Sequence, residues 1–354
     1  MKFERMDCGS MHNGPLAEGC KHCVDGGKMV LFVTGRCDTG CYYCPVGLAK
    51  KGKDVIYANE LCTRSKASII EEAESMDATG TGITGGDPLI NTERTVDAIR
   101  MLKEHFGPEH HIHLYTSTMD AEKVSAVVEA GLDEIRFHPP LRLWSDMEST
   151  PLREIIKGLP IDVGIEVPAL PDHREELNDL ISFAESAGVD FVNLNELEFS
   201  ESNWDMMDRY GYDLVDELSS AVKGSAETAR HVMEKHPNIP IHYCSSIFKD
   251  GVQLRNRLIR KATHSAKEYE VITEDGTVIK GVLYGDLESA MKLLAEDYDV
   301  PEELMYLDTE RNRLDVAPWV LEEIAEELPY RCYEVEEYPT ADRLEVERAP
   351  LNRL

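Results

Sequence analysis

Between residues 29 and about 263, short β-branched runs alternate with amphipathic helical patterns. That alternation limits the folds open to the chain more than any other feature. The strand candidates are MVLFVT (29–34), GTGITGG (80–86), HIHLYTS (111–117), LDEIRFH (132–138), IDVGIEVPAL (161–170) and DFVNLNELEF (190–199). Helical stretches such as TERTVDAIRMLKEHF and REELNDLISFAESAG separate them. Six such units predict an α/β fold with a parallel sheet and right-handed crossovers. The count favours a partial (βα)6 barrel of the TIM type over a doubly wound sheet. In such a barrel the chemistry sits at the C-terminal ends of the strands. The cysteine loop, GGDP, YTST, RFHPP, EVPALP and NELE all fall there.

The pattern changes after residue 263. EYEVITEDGTVIKGVLYG reads as a hairpin turning at Asp275-Gly276, followed by two helical stretches and two strand-like ones. The expected organisation is an N-terminal cysteine-containing extension (1–28), the barrel (29–263) and a small C-terminal α+β domain (264–354). No apolar run approaches the length of a membrane span, and MKFERMDCGS lacks the apolar core of a signal peptide. A cytoplasmic protein without a membrane partner is expected. The formal net charge of −30 repels phosphate backbones and does not favour general nucleic-acid binding. It suits a salty cytoplasm such as that of some archaea.

Nine cysteines in a chain of this kind argue for metal or redox chemistry rather than disulfides. Cys62 and Cys332 read as small buried hydrophobes. Cys20, Cys23, Cys37, Cys41 and Cys44 do not, because Gly, Lys and Asp surround them. Three of these lie on one loop, TGRCDTGCYYCPVG, directly after the first strand. A tetrahedral zinc site wants four ligands, usually as two separated pairs. Three thiolates on one tight loop suit an iron–sulfur cluster that keeps one iron open.

The spacing C-x3-C-x2-C, with Tyr43 just before the last cysteine, resembles the cluster loop of the radical S-adenosylmethionine (radical SAM) superfamily. The resemblance implies a [4Fe–4S] cluster on Cys37, Cys41 and Cys44, with S-adenosylmethionine on the open iron. One electron then yields a 5′-deoxyadenosyl radical. It further implies a reductant such as ferredoxin or flavodoxin. Gly85-Gly86-Asp87-Pro88, at the end of the second strand, resembles the family's element that holds the methionine amino group. By the same resemblance Thr116, Ser117, Arg136 and His138 lie where the family contacts this cosubstrate, and Glu166 and Asn195 lie further round. The run from Ile165 to Phe199 is most similar to the pyruvate formate-lyase activating enzyme group and its archaeal relatives.

Cys20 and Cys23 form half of a metal site, zinc or iron–sulfur, that needs help from Cys8, His12, His22 or Cys244. The pair lies six residues before the first strand, a connection that spans at most about 20 Å. The pair is therefore expected on the barrel face opposite the radical site, as a structural or electron-relay centre. Arg255, Arg257, Arg260 and Lys261 make a locally basic helix that either pairs with acidic neighbours or grips a phosphate or carboxylate. The expected activity is hydrogen abstraction from a small molecule or peptide. A tRNA-modifying radical SAM enzyme and a non-catalytic iron–sulfur or zinc scaffold are the alternatives.

Overall fold

The structure, a computed structural model, describes residues 3–353. Its contacts divide the chain into two compact units. One runs to Ala73 and resumes over Ala78–Leu254, and the other joins Glu74–Asp77 to the chain from Arg255 onward. The division thus falls ahead of the basic helix. Among the described residues no helix is long and apolar enough to cross a membrane.

The first unit opens with a hairpin of β1 (Glu4–Arg5) and β2 (Met11–His12), then helix α1 (Glu18–Val24). Seven parallel strands follow among the described residues: β3 (Lys28–Phe32), β6 (Gly80–Thr84), β7 (His111–Thr116), β8 (Glu134–Phe137), β9 (Asp162–Ala169), β10 (Phe191–Glu196) and β11 (Ile241–Cys244). They lie side by side in that order. The partial barrel anticipated from the sequence is present, with one strand more than expected. IHYC is short and follows a proline, so its pattern did not separate it from the helical stretch beyond. The sheet stays open. Its β3 edge carries the small hairpin of β4 (Tyr57–Ala58) and β5 (Leu61–Cys62), and its β11 edge carries β2, all antiparallel.

Helices cover the outside because their apolar residues recur on one face. In α3 (Thr92–Phe106), Thr95, Ala98, Ile99 and Leu102 are buried. In α6 (Arg174–Ala187), Leu177, Leu180, Ile181 and Ala184 are buried. Gly188, at φ +80°, ends α6 in the left-handed conformation that a residue with a side chain rarely adopts.

In the second unit, strands of the hairpin and its successors form one antiparallel sheet around β13 (Val278–Tyr284) and β16 (Arg331–Glu337). Leu283, Leu294, Leu314, Val316 and Leu321 make its apolar core. Lys280 and Arg313 are buried among Asp315, Glu337 and Glu270. In the basic helix (Arg255–Ser265), Arg255, Arg260 and Lys261 engage neighbours in the same unit. Arg255 pairs with Asp275, Arg260 with Asp77, and Lys261 donates to Ser75. Ion pairing, the plainer of the two sequence readings, is what the structure shows for Arg255 and Arg260.

Candidate functional site

The loop after β3 carries Cys37, Cys41 and Cys44 and is tied down at several points. Gly35 N donates to Lys53 O and Gly52 N to Gly35 O, both at 2.8 Å, closing the base of the loop. Arg94 pairs with Asp54 at 2.7 Å and donates to Val33 O, anchoring the returning chain. Ser202 donates to Cys44 O, and Asn203 to Tyr43 O. The hydroxyl of Tyr43, a residue only 6% exposed, meets His138 Nε2 at 3.1 Å. His138 Nδ1 lies 2.8 Å from Glu166 O. A carbonyl only accepts, so Nδ1 carries the proton and Nε2 accepts from Tyr43. Tyr43 and His138 therefore lock the cysteine loop to β9.

Gly85 and Gly86 lie against the first residues of that loop. Gly86 N donates to Thr34 O at 2.7 Å and Asp87 N to Arg36 O at 2.8 Å. A Cβ on either glycine would collide with backbone oxygens, of Thr34 for Gly85 and of Arg36 and Gly35 for Gly86. This is a close backbone approach that only glycine allows.

The structure gives Asp87 a different place from the one its sequence suggests. It is 2% exposed and does not line the cavity described below. Its Oδ1 accepts from Leu89 N (3.0 Å) and Thr116 Oγ1 (2.7 Å). Its Oδ2 accepts from Ser117 N (3.1 Å), Ser117 Oγ (2.6 Å) and Thr118 Oγ1 (2.9 Å). Five donors fill its acceptor capacity. Asp87 is the buckle between the ends of β6 and β7, not a free carboxylate. Thr116 and Ser117 serve the same buckle while still lining the cavity.

That cavity, about 710 Å³, fills the barrel interior. Its rim holds Cys37, Cys41, Cys44, Gly85, Gly86 and His138, so the loop thiols and the glycine backbone converge on one space. Its floor holds Arg136, Glu166, Asn193, Asn195 and His242. Strand register sets Glu166, Asn193 and His242 side by side, with Asn195 beside Cys244 two residues on. Arg136, 2% exposed, is clamped between Glu134 and Glu166. The sequence marked Arg136, Glu166 and Asn195 but missed Asn193, His242 and Lys28, which also lines the cavity. The polar residues recurring at every second position of β10 were the available signal, since alternate residues face the interior. Burial pushes His242 down to about 4, so it is neutral near pH 7.

Glu166 also receives Asn193 and Asn195 amides at 2.9 Å. Burial opposes its ionisation, but the Arg136 guanidinium and the two amides outweigh it and hold the carboxyl down at about 2. Its ordinary value is 4.5. The folded value is the lower one, so the stabilisation is complete above about 4.5 and is lost as pH falls towards about 2. In that window the stability of the native chain should fall more steeply with acid than that of Glu166→Gln, measured by denaturant unfolding. Parallel curves would take Glu166 out of this network.

Cys20 and Cys23 sit on α1 at the N-terminal ends of the strands, the side to which the spacing argument pointed, where Gly19 N meets Glu134 at the start of β8 and His22 meets Thr79 just before β6. Both line the same cavity as the loop cysteines. Helix α1 enters the barrel because Gly19 lets it. A Cβ there would stand 2.6 Å from His113 Nδ1 and 2.7 Å from Arg136 Nη2, and Gly19 N donates to Glu134 Oε2 at 3.0 Å. From that end α1 reaches into the interior before β3 begins. Among the described residues no three His, Cys, Asp or Glu side chains are already gathered to a metal-holding point. The donor set of the rim nonetheless fits an iron–sulfur cluster, with three thiols from one loop facing a cavity able to hold a ligand beside them.

A sequence profile of the radical SAM superfamily matches residues 31–140, and one described as Domain of unknown function (DUF8061) matches 276–351. The chain is 42% identical to a Methanocaldococcus jannaschii protein named as a candidate glycyl-radical enzyme activating enzyme, covering 95% of this chain and 93% of that one. It is 30% identical over 106 residues to the GTP 3′,8-cyclase of Limosilactobacillus fermentum, 30% of this chain and 31% of that one. Among solved structures it is similar to an S-adenosylmethionine-bound Streptococcus suis protein (TM-score 0.39, 10% identity), covering 63% of this chain and 51% of that one. It is also similar to a methylornithine synthase (TM-score 0.39, 13% identity), covering 60% and 63%.

Proposed function

The chain belongs to the radical SAM superfamily and is an enzyme of it, and we propose that Cys37, Cys41 and Cys44 hold a [4Fe–4S] cluster with S-adenosylmethionine beside it. The reaction is hydrogen abstraction from a small molecule or peptide. The observation that carries this reading is one cavity with three thiols of a single loop at its rim and a polar floor beneath. A cluster bound there supplies the electron that splits S-adenosylmethionine to methionine and a 5′-deoxyadenosyl radical.

The chain's own residues do the holding and the shaping. Cys37, Cys41 and Cys44 would hold the cluster through their thiolates, and no fourth protein ligand comes from the loop. Gly85 and Gly86 present backbone to the cavity, so a methionine moiety can lie close to the loop. Asp87 keeps that backbone in place from behind. Arg136 and Glu166, with Asn193 and Asn195, offer a rigid set of donors and acceptors to a substrate in the floor. Reduction comes from a one-electron carrier such as ferredoxin or flavodoxin.

A second reading takes a glycine of a partner protein as the substrate. The name of the M. jannaschii relative favours it. That relative matches through the C-terminal region as well, so the region does not argue against an activase. An RNA substrate is disfavoured by the charge of −30 and by the engaged arginines of the basic helix. Anaerobic reconstitution with iron and sulfide, then dithionite and S-adenosylmethionine, tests the proposal. Mass spectrometry should find 5′-deoxyadenosine and methionine in equal amounts. A fully reconstituted chain that forms neither would refute it.

A further inference from the structure

We propose that Cys20, Cys23 and Cys244 form a second site, on the cavity floor, that takes a thiophilic divalent metal ion through three thiolates and the Gln253 side-chain oxygen. Cys20 and Cys23 stand three residues apart on α1 and so share one helix face. That face lines the cavity, as does Cys244 at the end of β11. Gln253 stands between them. Cys23 donates to its Oε1 at 3.2 Å, and its Nε2 donates to Cys244 Sγ at 3.5 Å.

A buried cysteine that only fills space is met by apolar side chains. These three are met by N–H donors. Asn193 Nδ2 and Arg136 Nη2 donate to Cys20 Sγ at 3.1 and 3.5 Å, Gln253 donates to Cys244, and the Lys28 ammonium lies beside Cys23. Such N–H groups around sulfur hold thiolate charge in metal sites. Three sulfurs and one amide oxygen supply the four donors of a tetrahedral centre. Gln253 lies in a π-helical turn, Lys249–Leu254, an irregularity found mostly at functional sites. Cys8, the other cysteine the sequence offered as a helper, is exposed and outside the cavity lining.

Metal uptake draws the three thiols, which are not gathered to one point in the metal-free chain, onto the ion, replaces each Sγ–H bond by an Sγ–metal bond and releases the three protons to solvent. Once Cys23 has lost its proton, Gln253 Oε1 has lost its donor and is free to turn to the metal. The amide that spans the gap between Cys23 and Cys244 in the metal-free chain thereby becomes the fourth ligand.

The test removes the first site and titrates the second. A Cys37→Ala/Cys41→Ala/Cys44→Ala chain, its fold checked by circular dichroism, is titrated anaerobically with Co²⁺. One equivalent should bind with sulfur-to-cobalt charge-transfer absorption and be displaced by Zn²⁺. Adding Cys244→Ser should weaken Co²⁺ binding at least ~100-fold, whereas adding Cys8→Ser should leave it unchanged. A folded chain without the charge-transfer band, or a band that survives Cys244→Ser, overturns the proposal. If the triple variant does not fold, the cluster-loaded native chain is titrated against Cys23→Ser. An equal Co²⁺ response in the two then overturns it, and loss in Cys23→Ser supports it.

Discussion

Replacing Cys37, Cys41 and Cys44 together by alanine should abolish reductive cleavage of S-adenosylmethionine, taking 5′-deoxyadenosine from a stoichiometric product to the level of a protein-free control. The three thiols belong to one loop and line one rim, and no other cysteine lies on that loop. The fold should survive, because the loop is secured by groups other than sulfur. Gly35 and Gly52 close its base, Arg94 and Asp54 anchor its return, and Tyr43 locks it to His138. Circular dichroism of the variant should therefore overlay that of the native chain. Undiminished 5′-deoxyadenosine from a folded variant would remove these cysteines from the chemistry.

Asp87→Ala should cost stability first and catalysis as a consequence. The substitution strips the acceptor from Leu89 N, Ser117 N and the hydroxyls of Thr116, Ser117 and Thr118. Hydrogen bonds to a charged partner contribute about 1.5–3 kcal/mol each and do not simply add. A destabilisation of at least roughly 3 kcal/mol is expected in denaturant unfolding. With the buckle gone, Gly86 loses its fixed place against Thr34 and Arg36, and the yield of 5′-deoxyadenosine should fall with it. A carboxylate that only gripped the cosubstrate would behave otherwise. Its removal would leave stability within about 0.5 kcal/mol of native and weaken only S-adenosylmethionine binding. That outcome would restore the direct role the motif suggests.

Asp87 also shows where sequence reading stopped. The motif fixed which residues gather at the strand end, but not which of their atoms are free. Thr116, Ser117 and Thr118 are ordinary strand-end residues in the sequence, and only the fold turns all three hydroxyls onto one carboxylate. The barrel was legible because its first six strands are long β-branched runs between strongly periodic helices. The seventh, Ile241–Cys244, was not, because four residues carry too little pattern. Its loss hid Cys244 as a cavity residue. For Cys20 and Cys23 the spacing indicated the end of the barrel but not their reach into its cavity. That reach depends on Gly19, through its packing contact with His113 and Arg136. The buried Lys280 and Arg313 network lay beyond reach as well, since charged residues in a short strand read as solvent-facing.

The central claim is that the thiols at the cavity rim leave one iron open and that S-adenosylmethionine binds it. Electron–nuclear double resonance on the reduced, reconstituted chain, with S-adenosylmethionine labelled with ¹⁵N at its amino group, addresses that claim directly. A ¹⁵N hyperfine coupling to the cluster, absent when unlabelled cosubstrate is used, is the predicted result. A cluster whose spectrum does not change on adding saturating S-adenosylmethionine, and which shows no ¹⁵N coupling, would contradict it.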